Sequence, residues 1–191
     1  MRVLIFGSRS LTWKHLPIFR AVALHSTLSL GFENEPGGVP AMSERLIGHL
    51  MSGGDDEWPR HEHHLVLING DGPPGKERGA IGADKLAVLA CMEGWREDRR
   101  RIRWFPPDPE AGETWGQAAG RRNRQMVEMQ PHRSYCIHTD LDSSKGSSMT
   151  ASMLTGRGQG FWYIRVSAVG GLLEVQRRGP VEELASREAR E

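Results

Sequence analysis

Residues 1–10 read Met-Arg-Val-Leu-Ile-Phe-Gly-Ser-Arg-Ser, an apolar run that passes directly into a glycine turn. A short apolar run bounded by a turn signal is typical of a buried strand. The residues that follow, from Trp13 to Leu28, are predicted to form a helix. The opening of the chain therefore predicts a strand, a turn and a helix, which is the first half of a βαβ unit.

The same order of elements continues along the chain. Apolar runs alternate with helical patterns, which indicates a parallel sheet. We predict an α/β fold, a Rossmann-like three-layer parallel sheet with strand order 3-2-1-4-5. The predicted strands are Val3–Phe6, Leu65–Ile68, Ile102–Phe105, Ser134–His138 and Phe161–Val166, and the predicted helices are Trp13–Leu28, Gly82–Trp95, Gln117–Met129 and Ser147–Leu154.

The length of 191 residues fits one domain, so residues 1–191 are expected to share a single core. Residues of about 31–60 form an insertion after the first helix, in which Met42–Met51 is predicted to be a short amphipathic helix. A small C-terminal extension covers about 167–191. It is predicted to contain an edge hairpin around Gly170-Gly171 and a charged helix at Val181–Arg190.

Charge and composition argue against two classes of partner. Lys and Arg number 25 against 24 Asp and Glu, so the chain lacks the basic excess typical of nucleic-acid binding. No apolar run approaches the ~20 residues of a membrane span, so no membrane partner is expected. Cys91 and Cys136 both lie in apolar patterns, which predicts buried thiols and a cytoplasmic location.

Four glycine-rich or serine-rich segments follow predicted strands or open predicted helices. Loops after parallel strands meet at the carboxyl edge of a sheet, where ligands bind. Glycine lets the backbone approach a ligand, arginine offers paired donors to phosphate, and a helix N-terminus favours an anion. The candidate ligand-binding residues are Gly7, Ser8, Arg9, Trp13, Gly70, Gly82, Asp84, Arg122, Asn123, Lys145, Gly146, Ser147 and Ser148.

Each segment also has a purely structural explanation. Gly7–Arg9 is equally well an ordinary turn, and Asp84 either accepts a ribose hydroxyl or caps its own helix. The basic residues around Arg122 form either a ligand contact or a solvated face. Ser147 and Ser148 either cradle phosphate or belong to a serine-rich capping turn. Trp13 is the tryptophan most suited to stack on a base, because it follows the first turn.

No resident cofactor is expected from the sequence. Asp140 and Asp142 have the oxygen ligands that Mg²⁺ prefers beside a phosphate, although turn capping explains them equally well. The tract from His61 to His64 resembles a metal site but has no spaced partner motif, so a solvated polar run before a strand is favoured. No Gly-x-Ser-x-Gly turn or ordered triad indicates acyl transfer.

Taken together, the four segments resemble the YspA-like branch of the SLOG superfamily, which groups Smf/DprA proteins with Lonely-Guy-type phosphoribohydrolases. The resemblance covers residues 2–16 and 64–166. It implies a Rossmann-like fold that binds a nucleotide-derived, phosphate-bearing small molecule, for sensing, sequestration or signalling. The segments that carry it are Gly7-Ser8-Arg9, Gly82-Ala83-Asp84, Ala119-Gly120-Arg121-Arg122-Asn123 and Lys145-Gly146-Ser147-Ser148.

The sequence departs from those relatives in two places. The loop between Asn69 and Gly82 is longer and contains Pro73-Pro74-Gly75-Lys76, which predicts a reshaped mouth of the site. The fourth loop has no acid where the hydrolases have their glutamate, and Glu128 on the preceding helix is the candidate substitute.

The missing acid favours binding of an intact ligand. The alternative is an N-glycosidic hydrolase, similar to a phosphoribohydrolase, acting on a nucleoside monophosphate or an NAD-like dinucleotide. The resemblance also implies that homo-oligomers form, through Met42–Met51 or Val181–Arg190.

Overall fold

The computed structural model describes residues 2–28, 44, 46–48, 50–51, 66–70, 82–94 and 102–180. Strands and helices alternate along this part of the chain, as predicted. The strands are β1 (Arg2–Gly7), β2 (Val66–Asn69), β3 (Ile102–Trp104), β4 (Arg133–His138), β5 (Phe161–Val166) and β6 (Leu172–Arg178). The helices are α1 (Leu16–Leu28), α2 (Ala83–Gly94), α3 (Trp115–Glu128) and α4 (Lys145–Gly156), and a 3-10 turn at Trp13–His15 precedes α1.

The strands form one six-stranded sheet in the order β3-β2-β1-β4-β5-β6. The pairings among the first five strands are all parallel, which confirms the predicted order 3-2-1-4-5. The sixth strand is the difference from that order, because β6 pairs antiparallel with β5 at the edge. It is the second strand of the hairpin predicted around Gly170-Gly171, and a chain that reverses in so short a turn must pair antiparallel.

The two faces of the sheet carry two separate apolar clusters. Val3 and Ile5 of β1 belong to the cluster that includes side chains of α1 and α2. Leu4 and Phe6 belong to the cluster that includes side chains of α3 and α4. Successive strand residues point to opposite faces, so a strand covered on both sides is apolar throughout. This three-layer arrangement places α1 and α2 on one face and α3 and α4 on the other.

The predicted bounds are close to those observed, and the start of α1 is the main local difference. The predicted helix from Trp13 begins as a 3-10 turn, and the α-helix starts at Leu16. Pro17 lacks an N–H group, which fits the first turn of a helix and no later position. Cys91 in α2 and Cys136 in β4 are buried free thiols, as predicted, and burial raises the pKa of both.

Only part of the insertion falls within the described residues. Glu44, residues 46–48 and residues 50–51 are helical, in agreement with the predicted helix at Met42–Met51. Leu46 and Leu50 from this helix are buried in the cluster on the α1 and α2 face. The predictions for His61–His64, Pro73–Lys76 and Val181–Arg190 lie outside the described residues. Within them, every helix is too short or too polar to cross a bilayer.

Candidate functional site

The strand order reverses between β1 and β4, and the loops at the carboxyl edge of the sheet diverge at this point. The loop after β1 leads to α1 on one face, while the loop after β4 leads to α4 on the other face. In open α/β sheets the diverging loops at such a point leave a crevice in which ligands bind. The candidate residues of the first and fourth segments lie here.

The turn after β1 is held tightly against β4. A Cβ atom on Gly7 would lie 1.9 Å from the carbonyl oxygen of Ile137, so only glycine fits. The N–H of Ser8 donates to that same oxygen at 3.1 Å. The hydroxyl of Ser8 accepts from the N–H of Ser10 at 3.1 Å and lies 2.7 Å from the Ser10 hydroxyl. Ser8 is therefore buried and bonded within its own turn.

The start of α2 supports the same turn from the other side. Gly82 has φ +83°, a conformation that favours glycine, and its N–H donates to Leu11 O at 3.0 Å. The N–H of Ala83 donates to Ser8 O at 2.9 Å. The N–H groups of Gly82 and Ala83 are therefore bonded to the segment that follows β1, and the backbone of Arg9 lies beside Gly82.

The N-terminus of α4 reaches the end of β1. Ser144 caps the helix, and the Ser147 hydroxyl donates to Gly7 O at 3.1 Å. The Ser148 hydroxyl donates to Leu141 O at 2.6 Å, so both predicted serine hydroxyls are bonded to backbone carbonyls. The N–H groups of Lys145 and Gly146 occupy the first two helical positions, where the helix itself supplies no acceptor.

Arg122 is bonded to neighbouring protein groups. Its guanidinium donates to the carbonyl of Gly70 and lies 3.7 Å from the Asp84 carboxylate. Its Nε donates to Asn123 Oδ1 at 3.1 Å, and Asn123 Nδ2 donates to Gly146 O at 3.3 Å. The candidate residues Gly70, Asp84, Arg122 and Asn123 are therefore brought together, in a network that joins β2, α2, α3 and α4.

Two basic side chains at the carboxyl edge differ from Arg122 in their contacts. Arg9 and Lys145 are exposed, and neither makes an ion pair or a side-chain hydrogen bond with any residue the structure describes. Trp13 begins the 3-10 turn four residues after Arg9, with 52% of its surface exposed. These three side chains are available to a ligand.

The acidic residues do not gather into a catalytic or metal-binding group in the described part of the chain. Glu128 lies at the last position of α3 and faces Arg157 at 3.6 Å, so it does not replace the missing loop acid. Asp140 and Asp142 are exposed, and Asp142 lies 4.0 Å from Arg178. No set of three acidic, histidine or cysteine side chains suited to a metal ion occurs among the described residues.

Two polar residues at this edge were missed by the sequence reasoning. His138, the last residue of β4, is buried, and its Nδ1 accepts from the N–H of Asp140 at 2.9 Å. Burial lowers the pKa of His138, while the nearby Asp140 opposes that shift. Asn69, the last residue of β2, donates through Nδ2 to Asp84 O at 2.7 Å. A polar residue at the end of an otherwise apolar parallel strand was the available signal.

Two grooves in the described part of the chain lie on either side of α4. One, of about 520 Å³, is lined by Arg121 and Arg124 of α3, Met149 and Met153 of α4, and the loop at 110–113. The other, of about 440 Å³, lies between α4 and β5. Of the candidate ligand-binding residues, only Ser148 lines either groove.

Comparisons with protein-family models, curated proteins and solved structures find no match to this chain. The resemblance to SLOG proteins therefore depends on the four sequence segments, and the chemistry of the site depends on the contacts described above.

Proposed function

We propose that this chain binds a nucleotide-derived, phosphate-bearing small molecule in the crevice between the ends of β1 and β4, as its resemblance to SLOG proteins implies. The observation that carries the proposal is the hydrogen bond from Ser147 to Gly7 O. It joins the N-terminus of α4 to the turn that carries Arg9. The first N–H groups of α4, and an arginine that pairs with none of the described residues, thereby belong to one connected piece of structure at the point where the strand order reverses.

The chemistry of these groups suits a phosphate. The N–H groups of Lys145 and Gly146 are at the positive end of the α4 dipole, which favours an anion. Arg9 and Lys145 add positive charge that no described residue neutralises. Each charge-assisted hydrogen bond to phosphate contributes about 1.5–3 kcal/mol. Phosphate is therefore expected to supply much of the ligand's affinity.

The contacts made by the acidic side chains Asp84 and Glu128 favour binding of the ligand over its cleavage. Hydrolysis of an N-glycosidic bond needs a carboxylate that stabilises the positive charge developing on the sugar. Asp84 is held beside Arg122, and Glu128 faces Arg157. Neither of these two carboxylates is free beside the α4 N-terminus, where the exposed acids are Asp140 and Asp142 of the preceding loop. An intact, reversibly bound ligand is the outcome that these contacts support, and it suits a role in sensing, sequestration or signalling.

A nucleotide panel separates binding from cleavage directly. The purified chain is incubated with nucleoside monophosphates, diphosphates and NAD, and the solution is then analysed by native and denaturing mass spectrometry. The proposal expects an intact ligand that stays with the protein and no released base. Release of free base from any nucleotide in the panel would replace this proposal with the hydrolase alternative. If the protein neither retains nor cleaves any nucleotide in the panel, both the binding proposal and the hydrolase alternative are refuted.

A further inference from the structure

The hairpin between β5 and β6 is docked on the turn that follows Arg9. His15, at the end of the 3-10 turn, is buried, and its Nε2 lies 2.9 Å from Ser167 O. Its Nδ1 accepts from the N–H of Thr12 at 3.1 Å. The imidazole therefore connects the hairpin to the ligand-binding turn across 152 positions of sequence.

The two backbones also touch directly. Gly170 at the tip of the hairpin has φ +95°, and a Cβ atom there would lie 2.5 Å from Lys14 O. Glycine is required on both grounds, because the conformation is left-handed and no side chain fits. The hairpin is closed by hydrogen bonds from Ser167 N to Gly171 O and from Gly170 N to Ser167 O. The tip is thus fixed against the turn.

Two apolar side chains lie one residue away from this contact and are exposed. Trp13 precedes Lys14 and has 52% of its surface exposed, and Val169 precedes Gly170 and has 71% exposed. Both belong to segments held in place by the contacts of His15 and Gly170. Trp13 and Val169 thus present apolar side chains to water from backbone segments that are held beside the proposed crevice, where a ligand would cover them.

We propose that Trp13 and the tip of the β5–β6 hairpin form a platform for the flat heterocyclic base of the ligand, next to the phosphate-binding groups. The inference rests on the proposed function, because Arg9 lies four residues before Trp13. An indole offers a π-face to any base, and stacking on an aromatic side chain is tolerant of base identity. Val169 would extend the apolar surface beside the ring. The tip of the hairpin, which lies outside the residues that resemble SLOG proteins, thereby becomes part of the ligand site.

Two probes that differ only in the base test the platform. Adenosine monophosphate and ribose 5-phosphate share the phosphate and the sugar, and calorimetric titration measures the affinity of each. Trp13→Ala is expected to weaken the monophosphate by about fivefold or more, the factor equivalent to the lower end of base-stacking energies. Ribose 5-phosphate is expected to bind this variant as it binds the wild type. Val169→Ser is expected to weaken only the monophosphate, by about twofold, through lost apolar contact.

Trp115 provides the matched control. It is the first residue of α3, is 67% exposed and is no part of the site. Trp115→Ala is expected to leave both affinities unchanged. Suppose that the wild type binds both probes. If Trp13→Ala then has the same affinities as Trp115→Ala, or if Trp13→Ala weakens both probes equally, the platform is wrong while the phosphate site stands. If the wild type binds neither probe and retains no member of the nucleotide panel, the proposed function and the platform both fail.

Discussion

The carboxyl edge of the sheet has two halves, each with an arginine that the sequence presents as a phosphate ligand. In the braced half, formed by Gly70, Asp84, Arg122 and Asn123, the guanidinium of Arg122 is bonded to the protein itself. In the open half, formed by Arg9, Lys145 and Gly146, the guanidinium of Arg9 has no bonding partner among the described residues.

The difference comes from neighbours on other elements. Arg122 is 12% exposed because α3 packs beside the ends of β2 and α2, where a carbonyl and a carboxylate are within reach. Arg9 is exposed in a turn whose backbone is already bonded to β4 and α2. Equal residue types therefore have different tasks: the braced half fixes the positions of the loops, and the open half is left to meet the ligand.

The largest expected effect is on stability, from the braced half. Arg122→Met keeps the apolar stem but removes the hydrogen bond to Gly70 O and the ion pair with Asp84. The free energy of unfolding should fall by about 2 kcal/mol, the scale of a hydrogen bond from a charged group. Arg9→Met should change the free energy of unfolding by less than about 0.5 kcal/mol, because Arg9 is exposed and pairs with no residue in the described ranges. Urea unfolding of the two variants measures both values. Equal losses would remove the distinction between the halves.

A second pair of variants compares Gly82, which directly precedes α2, with Gly146, which lies in the first turn of α4. Gly82→Ala places a side chain at φ +83°, and the free energy of unfolding should fall by about 1 kcal/mol or more. Gly146→Ala meets open space within α4, so the greater helix propensity of alanine should raise stability by about 0.5 kcal/mol. Thermal unfolding reports both shifts. A gain in stability from Gly82→Ala would show that the β1 turn does not depend on its contact with α2.

A smaller effect distinguishes the halves by pH. Burial lowers the pKa of His138 from 6.5, and its Nδ1 accepts from Asp140 in the loop that leads to α4. The folded state disfavours protonation of His138. The stability that neutral His138 contributes is therefore present above about pH 6.5 and is lost as the pH falls through the lowered pKa of the folded state. The open half should therefore loosen in acid. The braced half contains no histidine.

His138→Asn isolates this contribution, since its Oδ1 can accept from Asp140 without titrating. The wild type should lose more unfolding free energy than the variant between about pH 7.5 and about pH 5.5. The protection of the amides from Asp140 to Ser144, measured as hydrogen exchange relative to the intrinsic rate at each pH, should fall in acid for the wild type only. Identical pH profiles would mean that His138 is not the titrating group.

The sequence was sufficient for most of the fold. Five strands and their order follow from apolar runs such as Val3–Phe6 and from helical patterns between them, because central strands such as β1 and β4 are buried on both faces. The hairpin at Gly170-Gly171 was also predicted. The predicted start of α1 was three residues early, because the chain first forms a 3-10 turn in which His15 bonds back to Thr12.

The candidate site was less predictable, for a physical reason. The sequence indicates which residues reach the carboxyl edge, and it correctly brings Gly70, Asp84, Arg122 and Asn123 together there. The sequence does not indicate which of these donors are already bonded within the protein, because their acceptors lie on elements that are distant in sequence. Ser147, for example, donates to Gly7 O, which is 140 positions away. His138 was overlooked because it ends an apolar run and was counted with its strand, and Asn69 was overlooked because it was counted with the loop after the second strand.

The most direct test of the central claim is calorimetric titration of Arg9→Ala with adenosine monophosphate and with adenosine. Arg124→Ala is the matched control, since Arg124 is an exposed arginine on α3 with no ion pair to a described residue. The account predicts that Arg9→Ala weakens the monophosphate by about tenfold or more, equivalent to ~1.4 kcal/mol. It predicts little change for adenosine, and none for either ligand with Arg124→Ala. Equal losses for the two ligands, or an equal effect of Arg124→Ala, would contradict the assignment of phosphate to the open half.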